Sequence, residues 1–497
     1  MLGKIEKTVD CWFLIAISFL FFLLRLPSLF EPYWYGDEGI YQVVGMGINH
    51  GRLLYRDIWD NKPPLLYMLY AFFSSDQFTI RLVSLFFGLA SVFIFYLLAR
   101  KLYNSQPTEK KTALWTTGIF AVFFGLPLLE GNIANAENFM LLPILLGGLL
   151  IFNQATTQDK KISFYPSSFI LHPFIAGFLL GLAFLFKVVA VFDFAAFFLF
   201  LGFVTIERKI NIQTLLPKLV PLCIAFALPA LVTIAFFLTK GAFFDFINAA
   251  LKQNVGYVGY GNTLLFPQGL LFLKLLLLAI VTSIFFLKRN VLGHNRLFIF
   301  LWFSFAVFNA FFSQRPYTHY LLVLLPSFVY MLGLLFWNGN TKSYQKGIVL
   351  LFFVLSILIL KNFTFYGKTF LYYQNFIAFL TNSKSVSDYQ SFFDKNTPSD
   401  YAVAAFIKTH IKKGDQLFVW GDSAQIYTLT NTLPPGRYAV AYHITASKNS
   451  VAETQMVLDR TKPKYLVVSS KSLIPFRLYG YAERILLYNA IIYERIY

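Results

Sequence analysis

Charge is scarce in this chain. Only 13% of its 497 residues are Asp, Glu, Lys or Arg, against roughly a quarter in a soluble domain, which excludes an ordinary globular protein in water. Cysteine is scarcer still: Cys11 and Cys223 both fall at or within apolar runs. Neither has metal-ligand spacing, and together they imply no disulfide framework. A Gly-rich phosphate loop, a zincin helix, a nucleotide-sugar motif and a catalytic-triad spacing are missing as well. Lys4 and Lys7 precede an apolar run, but no small-residue cleavage site follows Trp12–Leu24. The run leads instead into Arg25-Leu26-Pro27 and reads as an uncleaved first helix.

Apolar residues are what the chain has in quantity. It is 57% hydrophobic and 19% aromatic, with 60 Phe, and its mean hydropathy is +0.60. Such a composition suits lipid-facing helices and interfacial aromatic belts. Lys and Arg outnumber Asp and Glu by 42 to 24. In a soluble domain that excess would suggest nucleic acid as a partner. Here the bases sit in short loops between apolar runs, so the positive-inside rule accounts for them and the expected partner is the lipid bilayer.

A spanning helix needs about 20 apolar residues. The hydropathy pattern predicts spans at 11–30, 78–99, 113–129, 138–153, 169–186, 188–206, 218–238, 267–287, 297–312, 319–337 and 347–366, about 11 in all. With the N-terminus inside, Arg100, Lys101, Lys110, Lys111, Arg208, Lys209, Lys288 and Arg289 fall in cytoplasmic loops. The opposite loops, 31–62 and 130–137 among them, are richer in acids, Gly and aromatics, as orientation by Lys/Arg bias requires. Asp37, Glu38 and the C-terminal tail then lie outside. The expected fold class is mainly α: a polytopic helical membrane domain over 1–366 and a small extracytoplasmic α/β domain over 367–497. In the tail, Ala402–Lys412 reads as an amphipathic helix, and 416–420, 463–468 and 491–494 read as strands. The tail carries no motif of a second active site, which favours a structural or acceptor-docking role.

Charge beside a bilayer is expensive and therefore functional by default. Its densest cluster runs from Tyr35-Gly36-Asp37-Glu38-Gly39-Ile40-Tyr41 to Tyr55-Arg56-Asp57-Ile58-Trp59-Asp60-Asn61-Lys62-Pro63-Pro64. Asp37 and Glu38 are adjacent, so their side chains diverge on a helix, and they read either as a catalytic base or as helix N-terminal acids. Lys62 precedes a Pro-Pro helix start, where free N–H groups and the dipole favour an anion, and a lysine adds a point charge for phosphate. Arg56, Asp57 and Asp60 read equally as site residues or loop charge. Glu137 stands at the outer start of a span, Lys187 interrupts a long apolar stretch, and Arg315, His319 and Tyr320 lie at the mouth of another.

The Asp-Glu pair and the Lys-Pro-Pro step resemble the first external loop of the GT-C-fold glycosyltransferases that use lipid-linked sugars. Within that class the chain is most similar to the bacterial relatives of protein O-mannosyltransferases and of the lipid A aminoarabinose transferase. The resemblance is specific over 33–67, moderate at 130–143 and 313–326 and weak elsewhere. It implies a catalytic Asp37, with Glu38 supporting it or binding acceptor or metal. It implies donor-phosphate ligands in Lys62, Lys187, Arg315 and His319 and a substrate cavity reached by Glu137; by position alone Arg56 is a further candidate for the phosphate, and Asp60 and Tyr320 for the cavity. A divalent metal stays open as a cofactor; no other is implied. The aminoarabinose branch reads Asp-Glu-Ala-Arg-Tyr where this chain has Ile40 in the arginine position, so aminoarabinose is not assigned.

The reading that follows is an inverting transferase in the bacterial inner membrane, moving a sugar from a polyprenyl-phosphate donor to an external protein, lipid or glycan. A transporter or flippase of lipid-linked saccharides is the rival. It predicts charges at the bilayer midplane and inverted repeats, whereas here charges gather at one face. A membrane scaffold with an external interaction domain is the third reading, and it predicts that Asp37 is dispensable.

Overall fold

The computed structural model describes residues 2–103, 110–156, 166–207, 212–254, 271–312, 317–336, 347, 350, 354, 367–469 and 473–496. Among them, six helices are long and apolar enough to cross a membrane: Asp10–Phe30, Gln77–Leu102, Ala136–Thr156, Val188–Ile206, Leu215–Thr239 and Leu271–Ala310. Leu171–Phe186 and Tyr320–Phe336 are shorter apolar helices. The spans expected at 267–287 and 297–312 form one helical run, broken at Gly293, whose φ of 71° no α-helix contains. The span expected at 347–366 lies outside the described residues apart from three positions.

The chain divides into two compact units. The first joins Met1–Leu26, Val83–Phe236 and Asn254–Thr369, and holds most of the membrane helices. Its helices approach closely where side chains are absent. Gly177 and Gly181 form a small-xxx-small step on the helix Pro166–Phe186. A Cβ on them would meet the carbonyl oxygens of Leu222 at 2.2 Å and Phe226 at 2.5 Å, so only glycine lets the backbone of Ile212–Thr239 come this near. Aromatic stacking fills the interior, with Phe95 between Phe120 (centroids 4.3 Å) and Tyr330 (4.1 Å). Phe272, Leu277 and Leu287 are instead more than half exposed, as apolar residues facing lipid are.

The second unit joins Pro27–Leu82, Phe237–Gln253 and Phe370–Tyr497. In this division the first external loop is grouped with the tail. The tail folds as a four-stranded sheet of β1 (Leu417–Trp420), β2 (Tyr465–Ser469), β3 (Tyr481–Leu487) and β4 (Ala490–Arg495), in the order β1-β2-β4-β3. β1 and β2 are parallel, so a crossover must join them; the helices Gln425–Thr430, Ala441–Thr445 and Lys448–Thr461 supply it. β3 and β4 form an antiparallel hairpin. β3 was not expected from the sequence: it is a largely exposed edge strand whose Glu483-Arg484 pair interrupts the apolar alternation. Phe418, Trp420, Tyr438, Ile444, Leu458, Leu466, Val468 and Phe476 make the core of the tail, and Trp59 of the first loop packs against it.

Candidate active site

Each unit holds a polar cluster built from the expected residues. In the second unit the helix Gly36–Asn49 opens with Asp37 and Glu38 in its first turn, where the macrodipole favours acids. Neighbouring side chains on a helix point apart, and here they take different environments. Glu38 is buried and receives two hydrogen bonds from Arg81, Nε to Oε1 at 3.1 Å and Nη2 to Oε2 at 2.5 Å. Arg81 also pairs with buried Glu31 at 2.8 Å and donates to the Ser28 carbonyl at 2.7 Å. Glu31 in turn accepts from Tyr372 and Trp34, both at 2.6 Å. Both oxygens of Glu38 are thus committed to a structural triad. Among the described residues no group of three His, Cys, Asp or Glu side chains is placed to hold a metal, so this donor set does not fit Glu38 as a metal ligand. Asp37 is half-buried and accepts from the Tyr41 hydroxyl at 3.2 Å, one helical turn on.

Lys62 stands immediately before the N-cap Pro63 of the helix Pro64–Phe72, as the Pro-Pro step predicts. Two buried tyrosines clamp its backbone: its N–H donates to the Tyr67 hydroxyl at 2.9 Å and its carbonyl accepts from the Tyr55 hydroxyl at 2.8 Å. Burial pushes both phenols well above their ordinary pKa, so they stay protonated donors. The Lys62 ammonium donates to Asn61 Oδ1 at 3.1 Å and lies 5.9 Å from the centroid of the Tyr41 ring. Tyr41 therefore stands between the two functional candidates, its hydroxyl on Asp37 and its ring face toward Lys62.

Asp60 is buried, accepts from Tyr67 at 2.7 Å and from the Asn61 N–H at 2.7 Å, and faces His443 Nε2 at 3.5 Å. His443 comes from the tail, and burial lowers its pKa to about 4, so the ring is neutral near pH 7. Arg56 is about half exposed (49%) and pairs with Asp57 at 2.9 Å, a surface pair of the kind worth about 0–1 kcal/mol. Its guanidinium also donates to the Lys240 carbonyl at 3.5 Å.

The first unit gathers the other candidates. Lys187 breaks the chain between the helices Pro166–Phe186 and Val191–Glu207 and forms an ion pair with buried Glu137. Its ammonium also lies 4.3 Å from the Tyr320 ring centroid. His319 is held between acids, Nδ1 at 3.0 Å from Glu130 and Nε2 at 3.9 Å from Glu137. Glu130 also accepts from Thr318 at 2.6 Å. Lys187 and Glu137 therefore neutralise each other, which satisfies a cost that either alone would incur beside lipid. Arg315 lies outside the described residues.

Sequence reasoning missed Glu31, Arg81, Glu130 and His443. Arg81 carried a usable signal, an arginine inside a predicted span. Glu130 and His443 carried none, because nothing local marks their partners.

The comparisons bear on the fold. Residues 61–235 match the family described as dolichyl-phosphate-mannose-protein mannosyltransferase, and 399–480 match the C-terminal domain of the competence-induced protein Ccs4. No curated protein matches the sequence. Among solved structures, ArnT from Cupriavidus metallidurans bound to undecaprenyl phosphate superposes with a TM-score of 0.54 at 13% identity, over 98% of each chain. The oligosaccharyltransferase AglB from Archaeoglobus fulgidus, in complex with an inhibitory peptide and a dolichol-phosphate, gives 0.47 at 14% identity, over 94% of this chain and 70% of its own. Whole-length agreement with ArnT shows that the chain has the GT-C fold of a multi-pass membrane protein, and its segment 61–235, which contains Lys62, Glu137 and Lys187, is similar to the mannosyltransferase family.

Proposed function

We propose that this protein transfers a sugar from a polyprenyl-phosphate donor to an acceptor on the outer face of the bacterial inner membrane, inverting the anomeric carbon. The observation that carries the reading is the Asp37–Tyr41–Lys62 arrangement: a half-buried carboxylate and a backbone-clamped lysine on either side of one tyrosine. Asp37 takes the proton of the acceptor hydroxyl as it attacks the anomeric carbon. The sugar–phosphate bond breaks and the departing phosphate keeps the electron pair. Lys62 meets the charge that grows there in the transition state. Glu38 holds the start of the helix through Arg81 and touches no reacting atom. The ArnT structure contains undecaprenyl phosphate, which supports a lipid-linked donor of the same chemical class.

Purified protein given a lipid extract containing polyprenyl-phosphate sugars and a crude acceptor fraction should release free polyprenyl phosphate, detected by mass spectrometry. Movement of intact lipid-linked sugar across vesicles with no cleavage would overturn the transferase in favour of the flippase.

The orientation has its own test. In a background with Cys11→Ser and Cys223→Ser, the substitutions Lys240→Cys and Asn449→Cys should label with an impermeant maleimide in intact spheroplasts. Lys101→Cys, also at an exposed position, should label only after lysis. The reverse pattern would move the site to the cytoplasm.

A further inference from the structure

The strand of chain carrying Lys62 leans on the tail. The Trp59 N–H donates to the Arg437 carbonyl at 2.9 Å, and Arg52 donates to the Gly436 carbonyl at 3.0 Å. The Trp59 ring meets Tyr438 and His443 edge-on, with centroids 5.7 and 4.7 Å apart. Gly39, two residues from Asp37, is met by Gln425 so closely that a Cβ there would sit 3.0 Å from its side chain. Both halves of the proposed site, the Asp37 helix and the Lys62 loop, thus rest on tail residues.

One of these contacts reaches Lys62 through polar atoms. His443 Nε2 faces Asp60 Oδ1, Asp60 Oδ2 accepts from Tyr67, and Tyr67 accepts the Lys62 N–H. His443 and Asp60 are both almost fully buried, so each needs the other's polarity more than a solvated pair would. Among the described residues the buried Nδ1 atom of His443 has no hydrogen-bond partner. That is tolerable for a lone pair and costly for an N–H, which favours the tautomer with the ring's one proton on Nε2, toward Asp60. The proposed mechanism gives this histidine no task.

We propose that His443 is a positioning residue: through Asp60 and Tyr67 it holds Lys62 where the lipid phosphate binds, making the tail part of the phosphate site and not a separable docking module. The proposal rests on the reading of Lys62 as a phosphate ligand. The test is binding of undecaprenyl phosphate to the purified full-length protein, with thermal midpoints measured alongside. Lys62→Ala should weaken binding on the order of tenfold to a hundredfold, the loss of one charge-assisted contact. His443→Asn, whose amide reaches the place of Nδ1 and not that of Nε2, should weaken it roughly three- to tenfold. His443→Gln, whose amide nitrogen reaches the place of Nε2, should restore most of that loss. In the Lys62→Ala background His443→Asn should add nothing.

The failures separate. If Lys62→Ala binds like wild type, the reading of Lys62 is wrong. If Lys62→Ala loses binding and neither histidine variant does, Lys62 stands and the role of His443 is wrong. If Asn and Gln weaken binding equally and lower the thermal midpoint equally, His443 is packing alone and the proposal fails.

Discussion

Replacing Asp37 by Asn is expected to remove sugar transfer while leaving the protein folded and able to bind undecaprenyl phosphate. Loss of a general base costs commonly about 10²–10⁴-fold in rate. Asn is isosteric and still accepts a hydrogen bond from Tyr41, so the helix start should survive. The neighbouring carboxylate offers no rescue, because both oxygens of Glu38 are bonded to Arg81. Wild-type turnover by Asp37→Asn, measured as polyprenyl phosphate released per enzyme, would exclude Asp37 as the base. It would also revive the scaffold reading, which makes this residue dispensable.

The second large effect concerns stability. Arg81 is fully buried between Glu31 and Glu38. Arg81→Met would leave two buried carboxylates without their cation, and breaking a buried pair from one side costs about 3–5 kcal/mol. A thermal-shift measurement in detergent should show a steep fall in midpoint or a failure to accumulate. The triple variant Arg81→Met, Glu31→Gln, Glu38→Gln removes all three charges together and should recover much of the loss, since no uncompensated charge remains. Arg56→Met, which breaks the exposed pair with Asp57, should barely move the midpoint. An unchanged midpoint for Arg81→Met would mean that the triad does not anchor the helix carrying Asp37.

The sequence by itself determined the solvent this protein lives in and where its chemistry is concentrated. Scarce charge and long apolar runs demand a membrane, because apolar side chains at that density have no other place. The Pro63-Pro64 helix start and the adjacent Asp37-Glu38 were legible because their signals are local: proline sets its own backbone, and helix geometry separates neighbouring side chains. Local signals also placed β1, β2 and β4, whose apolar runs are largely buried, and missed β3, which is polar along its exposed edge. Tertiary structure alone decided the pairing of charges. Glu38 and Arg81 are 43 residues apart and Glu137 and Lys187 are 50 apart, and no spacing rule links them. The cost of burying a charge announces that a partner must exist, while only the folded chain selects which one. The same holds for the tail: nothing in its sequence says that it supports the first loop, because Trp59 against His443 and Gly39 against Gln425 are contacts that folding creates.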